Sequence, residues 1–392
     1  MDCIKHAITG LHVTRNKSTA LFFSAVRKMA RLQRTAWGLA PHALFSEMMS
    51  KPAARKPAAK VARKSADKVA RKHPAISKMP VEQGSDFDPA KFSGTWKARV
   101  YSTPATPGVW PVRLSYFVYV PTRLRTGCPM LVMLHGCEQN ARDFAVGSRM
   151  HRLADREGLL LVYPQQSRRA QQNRCWHWYQ PDSAHGYAEA DAIAGIAAAA
   201  AADYHADPAR IYIAGLSAGA DMAALTALLH PGQFAALGMH SGAALSAAHN
   251  AGQGLRVMRH GVSTVPGEAL KALLRDRTAF AGMPAIIMQG DDDHIVDKRN
   301  GGQLFEQFAW INGIDIGEDG PIAAQDLAVG GTRHYHRLDT PSRRGAIVSL
   351  CQVPGLGHAW SGGDGRVRFH AGQGPNASLL MWQFFKAHRR EG

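Results

Sequence analysis

The sequence predicts an α/β architecture: a mostly parallel sheet flanked by helices, preceded by a basic N-terminal extension. Two observations carry this. Short apolar runs alternate with longer helix-prone stretches from about Phe87 onward, the pattern of a sheet covered on both faces. A small-residue turn, Gly215-Leu216-Ser217-Ala218-Gly219, lies between one such run and a helical stretch. In open α/β sheets, functional residues gather beyond the carboxyl ends of the strands.

The runs follow in order. Tyr116 to Tyr119 reads as a strand and Thr122 to Gly127 as a turn. Met130 to Leu134 is an apolar strand ending in His135-Gly136, and Leu159 to Tyr163 is another, stopped by Pro164. Ala190 to Ala202 is helical by propensity despite Gly195. Ile211 to Ala214 is a short strand, and Ser217 to Leu229 a helix ended near Pro231-Gly232. Ala285 to Met288 and Ala346 to Cys351 complete the strands, and Ala377 to His388 is the last helix.

Composition is ordinary for a globular chain, with 45% hydrophobic and 20% charged residues among 392. No apolar run reaches the length of a membrane span, so no transmembrane segment is expected. No clean secretory signal is expected either. The five cysteines, Cys3, Cys128, Cys137, Cys175 and Cys351, are too few for a disulfide scaffold, and no CxxC pair suggests a zinc knuckle.

Charge divides the chain. Residues 51–73 hold six lysines and three arginines against one aspartate, giving +8 of the total +17. The pentapeptide KVARK occurs there twice. Such a segment cannot form a core; it reads as a solubilising linker or as a tether to a granule surface or another polyanion. Residues 1–50 include Leu21 to Leu32, an amphipathic basic stretch. The expected division is 1–50 uncertain, 51–80 basic linker and 87–392 the folded domain.

The GxSxG turn suits a nucleophile that must stand exposed on a tight strand-to-helix bend, the nucleophile elbow of α/β-hydrolase folds. The bland alternative is Ser217 as an ordinary helix N-cap. A serine hydroxyl needs a histidine to take its proton and an acid to orient that histidine, in chain order Ser, acid, His. His358, in Gly355-Leu356-Gly357-His358, is the candidate base. The acid lies among Asp291, Asp292 and Asp293, which spacing alone does not rank. A metal site at these aspartates beside His294 matches no EF-hand spacing and is not expected. The oxyanion donors are expected to be the N–H groups of Ala218 and Cys137. This chemistry needs no cofactor.

Taken together, Leu134-His135-Gly136-Cys137-Glu138-Gln139, Cys175-Trp176-His177-Trp178, Asp191, Arg210 through Gly219, Gly290 through Val296 and Gly357 through Gly363 resemble the poly(3-hydroxybutyrate) depolymerase-like esterases. That family also includes feruloyl and acetylxylan-type esterases, and the resemblance runs from about Trp96 to His388. The resemblance implies that Asp293 is the acid, through Gly-x-x-Asp-x-x-Val, and that Cys137 and Cys175 form a disulfide. It also implies an acyl-binding cleft near Trp176, Trp178 and Trp360, and a polyester or small-ester substrate. Little sequence follows the last helix, so a C-terminal substrate-binding domain is not expected. A cytoplasmic enzyme held on polymer granules by the basic segment is the first expectation for location, and export, which a disulfide would favour, is the alternative. A non-catalytic scaffold or a nucleic-acid-binding protein would make the basic segment the primary feature, but the ordered triad residues speak against both.

Overall fold

A computed structural model describes residues 87–390, except 105–110, 183, 264–265, 275–279, 281, 318–319 and 343–344. The segments 1–50 and 51–80, with the tether expected at 51–73, lie outside the described residues.

Among the described residues, ten strands form one sheet: β1 (Thr95–Ser102), β2 (Arg113–Val120), β3 (Met130–Leu134), β4 (Leu160–Gln165), β5 (Ile211–Leu216), β6 (Ala236–His240), β7 (Ala285–Gly290), β8 (Ala323–Leu327), β9 (Tyr335–Ser342) and β10 (Gly345–Val353). Their spatial order is β1-β2-β4-β3-β5-β6-β7-β10-β9-β8. The run from β4 to β10 is parallel, whereas β1, β2, β8 and β9 make antiparallel margins.

Among the described residues, eight α-helices cover the sheet: α1 (Ala141–Ser148), α2 (Met150–Glu157), α3 (Gly186–Asp203), α4 (Ala218–Leu229), α5 (Ala251–His260), α6 (Pro266–Leu274), α7 (Arg299–Ile311) and α8 (Ala377–Lys386). The period-two geometry of a strand explains two cores. Met130, Val132 and Leu134 of β3, with Ile211 and Ile213 of β5, face one core with α3, α4, α5 and α7. Leu131 and Met133, with Tyr212, Ala214 and Leu216, face the other, closed by α1, α2 and α8. Both faces are covered, which is why the central strands read as unbroken apolar runs rather than as alternation.

One local expectation needed revision. The strand β4 does not stop at Pro164, which pairs with Tyr116 of β2. Pairing of β4 with β3 ends at Val162, so beyond it β4 has a neighbour on one side only. A proline, lacking an N–H, is tolerated at such an edge. The helix expected through Gly195 is present as α3, and a Cβ there would lie 2.1 Å from the Tyr101 hydroxyl of β1, so a larger residue would require the Tyr101 side chain to move.

Among the described residues no helix is long and apolar enough to cross a membrane. We expect Ile213→Ala, in the fully buried centre of β5, to cost roughly 2–5 kcal/mol of stability. Val100→Ala on the exposed face of β1 should cost within about 0.5 kcal/mol. Urea unfolding of both variants measures the contrast.

Candidate active site

The bend between β5 and α4 holds Ser217 at φ 56° and ψ −128°. A non-glycine residue at positive φ costs on the order of 1–3 kcal/mol and persists only where its surroundings enforce it. Here they do. The Ser217 N–H donates to His240 O of β6 at 2.8 Å, and the Ala220 N–H donates to Ser217 O at 2.7 Å. A Cβ on Gly215 would lie 2.2 Å from Gly219 O, and one on Gly219 would lie 2.3 Å from Leu134 O. The two flanking glycines thus let the bend close against itself and against β3. Ser217 occupies the N-cap position of α4, but its side chain makes no capping hydrogen bond.

The three aspartates after β7 separate by environment. Asp291 and Asp292 are exposed; the first accepts from the Gly355 N–H at 2.6 Å and the second lies 3.2 Å from His294. Asp293 is buried. Its Oδ1 accepts from the N–H groups of Ile295 and Val296, both at 2.9 Å, and its Oδ2 accepts from His358 Nδ1 at 2.7 Å. Gln289 Nε2 donates to the same Oδ2 at 3.3 Å. Because a carboxylate oxygen only accepts, this bond assigns the hydrogen to Nδ1 and leaves Nε2 of His358 as the basic nitrogen.

Ser217 and His358 line one cavity with Gly136, Cys137, Gln139 and Phe369. Its volume is about 10 Å³, room for about one water. The ring of Phe369 stands edge-on to His358, with centroids 6.1 Å apart. Among the described residues no hydrogen bond joins the Ser217 hydroxyl to His358; such bonds commonly tighten only with substrate bound.

The loop after β3 supplies the other wall. The Gly136 N–H is already taken by Gln139 Oε1 at 2.8 Å and the Glu138 N–H by Asn173 O at 2.6 Å. No acceptor takes the Cys137 N–H among the described residues. Ala218 opens α4, so its N–H has no intrahelical partner. Both remain available to an oxyanion. A disulfide joins Cys137 to Cys175, as the family resemblance implied, with S–S 2.02 Å. Beside it, Glu189 of α3 accepts from Gln166 Nε2 at 2.6 Å and the His177 N–H at 2.8 Å, and contacts His177 Nδ1 at 2.6 Å.

The tryptophans require a correction. Trp176 and Trp360 are fully buried and Trp178 nearly so, and none lines the Ser217 cavity. The Trp176 indole N–H donates to His135 O at 2.9 Å, fixing the loop after β3 from behind. Trp360 stacks on His240, with centroids 5.3 Å apart, and donates to Ser378 Oγ at 3.2 Å. Large apolar area and a single polar handle are equally suited to core and cleft, and here the core takes all three. The aromatic side chain on the cavity is Phe369, which no sequence motif had marked.

The one three-residue group among the described residues with metal-ligating geometry is Asp326, His334 and His336, on the β8–β9 margin. It shares no residue with the Ser217 cavity.

Burial holds several histidines neutral. His135 and His370 are each lowered to about 4 and His240 to about 3, all chiefly by desolvation. Lowered histidine values mean that the unfolded chain binds protons first as pH falls below about 6.5. Stability is therefore lost below that pH, at about 1.4 kcal/mol per unit for each histidine. The Asp221 carboxyl, raised well above its usual range by burial, works in the opposite direction and returns up to about 1.4 kcal/mol per unit. Because each unfolded histidine is only half-protonated at pH 6.5, we expect a net loss of roughly 1.5–3 kcal/mol between pH 6.5 and 5.5 from these four groups; denaturant titrations at the two pH values check it, and equal midpoints would contradict it.

The comparisons with known proteins agree with this geometry. The model of the family described as Esterase PHB depolymerase matches residues 114–326. Poly(3-hydroxyalkanoate) depolymerase C of Paucimonas lemoignei is 30% identical over 254 residues, covering 64% of this chain and 59% of the relative. Feruloyl esterase B of Neurospora crassa is 32% identical over 136 residues, 34% of this chain and 46% of the relative. The chain thus matches less than two thirds of the length of these relatives. An acetyl xylan esterase structure from Aspergillus awamori aligns with a TM-score of 0.57 at 17% identity, over 74% of this chain and 99% of that one, a likeness of fold. The architecture is the α/β-hydrolase fold, and with more than half of its residues inside the family model, the chain belongs to the Esterase PHB depolymerase family.

Proposed function

We propose that the protein is a serine esterase that hydrolyses poly(3-hydroxybutyrate) or its oligomers through an acyl-enzyme. The observation that carries this reading is the buried Asp293–His358 pair, at 2.7 Å, whose His358 lines the same cavity as the strained Ser217. His358 Nε2 takes the proton of Ser217 Oγ as that oxygen attacks the ester carbonyl. The N–H groups of Cys137 and Ala218 stabilise the oxyanion. Collapse of the tetrahedral intermediate breaks the ester C–O bond, and His358 passes its proton to the departing alkoxide. A water then loses its proton to His358, attacks the acyl-enzyme and releases the acid, restoring Ser217. Asp293 keeps His358 in the required tautomer throughout and offsets the imidazolium charge.

A second reading is a carboxylesterase for feruloyl, acetyl or other small esters. It is favoured by the similarity to feruloyl esterase B and by the narrow cavity at Ser217. The Cys137–Cys175 bridge suits an oxidising compartment and so favours the exported alternative over a cytoplasmic enzyme. The segment 51–73 is assigned an accessory part as an electrostatic tether.

Purified protein and its Ser217→Ala variant, incubated with amorphous polymer granules and separately with feruloyl and acetyl esters, separate the readings. Release of 3-hydroxybutyrate or its oligomers by the native protein alone is the expected result. Cleavage of small esters only would move the function to the second reading. Asp293→Asn should lower kcat by roughly 10³–10⁴-fold with the fold intact by circular dichroism. Deleting residues 51–73 should weaken co-sedimentation with granules without lowering turnover of a soluble ester.

A further inference from the structure

The cavity at Ser217, of about 10 Å³, admits little beyond the reacting carbonyl. The remainder of any substrate must lie outside it. A groove of about 750 Å³ adjoins it and shares Glu138 and Gln139 as common wall. The groove runs past α1 and α2, the segment 168–174 and the loop 364–368.

Its chemistry is one-sided. Arg149, Arg152, Arg168, Arg174, Arg366 and Arg368, with Lys91 at one end, face three carboxylates, Glu138, Asp143 and Asp364. Burial holds His151 neutral, its value lowered to about 4, so the lining carries a net +4. The carboxylates are already engaged. Arg368 pairs with Glu138; Asp364 holds Arg366 at 2.7 Å and Arg149 at 3.4 Å; Asp143 accepts from Asn140 Nδ2 at 2.5 Å. Among the described residues Arg152, Arg168 and Arg174 have no ion-pair partner. Arg174 is half-buried; its burial and the neighbouring Arg168 charge act against its guanidinium, and Asp143 offsets them in part. Like charges gathered beside a concave, partly desolvated surface, and among the described residues only partly offset by Asp143, favour an anion there.

The groove is also linked to the reacting centre. Gln139, which holds the Gly136 N–H, donates to Arg368 O at 3.2 Å. The Arg368 guanidinium lies over the Phe369 ring, 4.5 Å from its centroid, and Phe369 lines the Ser217 cavity.

We propose that this groove binds a carboxylate carried by the substrate, so that the protein prefers esters with a free carboxyl group, such as the carboxyl end of a hydroxyacid oligomer, to neutral esters. The proposal rests on the serine esterase reading and narrows its substrate class. It makes oligomer ends, rather than the uncharged interior of a polymer chain, the favoured point of attack.

The test compares the linear dimer of 3-hydroxybutyrate with its neutral carboxamide. The free acid should have a kcat/KM roughly tenfold higher at low ionic strength, mainly through KM, as expected for a charge-assisted contact. That advantage should shrink in about 1 M salt, where the screening length is about 3 Å. The double variant Arg168→Gln, Arg174→Gln should lower the acid-to-amide ratio at least about fivefold, and Arg152→Gln, on the exposed face of α2, should lower it less. Arg99→Gln on β1, outside the groove, should leave the ratio unmoved. A native ratio near one, or a ratio unchanged in both groove variants, overturns the proposal. Calorimetric binding of the free acid to the Ser217→Ala protein gives a second readout, independent of turnover. Weaker binding when both arginines are replaced supports the groove, and no binding to either form overturns it. Absence of turnover of both dimers, with binding retained, would instead count against the esterase reading alone.

Discussion

The strained backbone at Ser217 is the constraint on which the rest of the site depends. A residue at positive φ must be clamped, and the clamp is built from three strands. Strand β5 delivers the bend, His240 O at the end of β6 holds the Ser217 N–H, and the carbonyls at the end of β3 press against Gly219. These three strands are adjacent in the parallel sheet, so their carboxyl ends reach the same place. That juxtaposition follows from topology, and it brings the loop after β3 within reach of the serine without a long excursion of chain. The same histidine extends the clamp: His240 Nε2 accepts from the Ser361 N–H at 3.1 Å, three residues beyond His358. Burial removes the proton that would otherwise occupy that nitrogen.

A second set of contacts fixes the loop after β3, which carries the proposed oxyanion donor Cys137, from the side away from the cavity. His135 spans both chain segments, its Nδ1 donating to Gly136 O at 2.8 Å and its Nε2 accepting from the Gln166 N–H at 3.2 Å. Glu189 gathers Gln166 and His177 on either side of the Cys175–Trp176 pair. Preorganised donors matter because they stabilise charge without reorganising during the reaction, and the supporting groups determine how well they stay in place.

The parts of this arrangement legible in the sequence are those whose local chain chemistry is decisive. A five-residue apolar run such as Met130 to Leu134 has few alternatives to a buried strand, and glycines on both sides of Ser217 mark a bend that leaves no room for Cβ atoms. The order of Ser217, Asp293 and His358 followed from the same logic, although choosing among three aspartates required the family resemblance. What escaped was determined by distant partners. Strand β6, Ala-Leu-Gly-Met-His, has no β-branched residue, and its burial between β5 and β7 makes it a strand. The tryptophans looked like cleft residues because an indole serves core and cleft alike. The arginines of the groove are separated by up to about 220 positions along the chain, and Phe369 carries no local signal, so only the folded chain brings them together.

The Cys137–Cys175 bridge has a topological side as well. The 38-residue separation between its cysteines encloses α1, β4 and α2, and hence much of one wall of the cationic groove, in a covalent ring. A protease that cuts an exposed turn inside this ring, for example near Arg168 and Arg169, would open a loop but would not divide the molecule. Both new ends would stay tied to the neighbouring strands, and the nicked wall would remain within diffusive reach of its native seat.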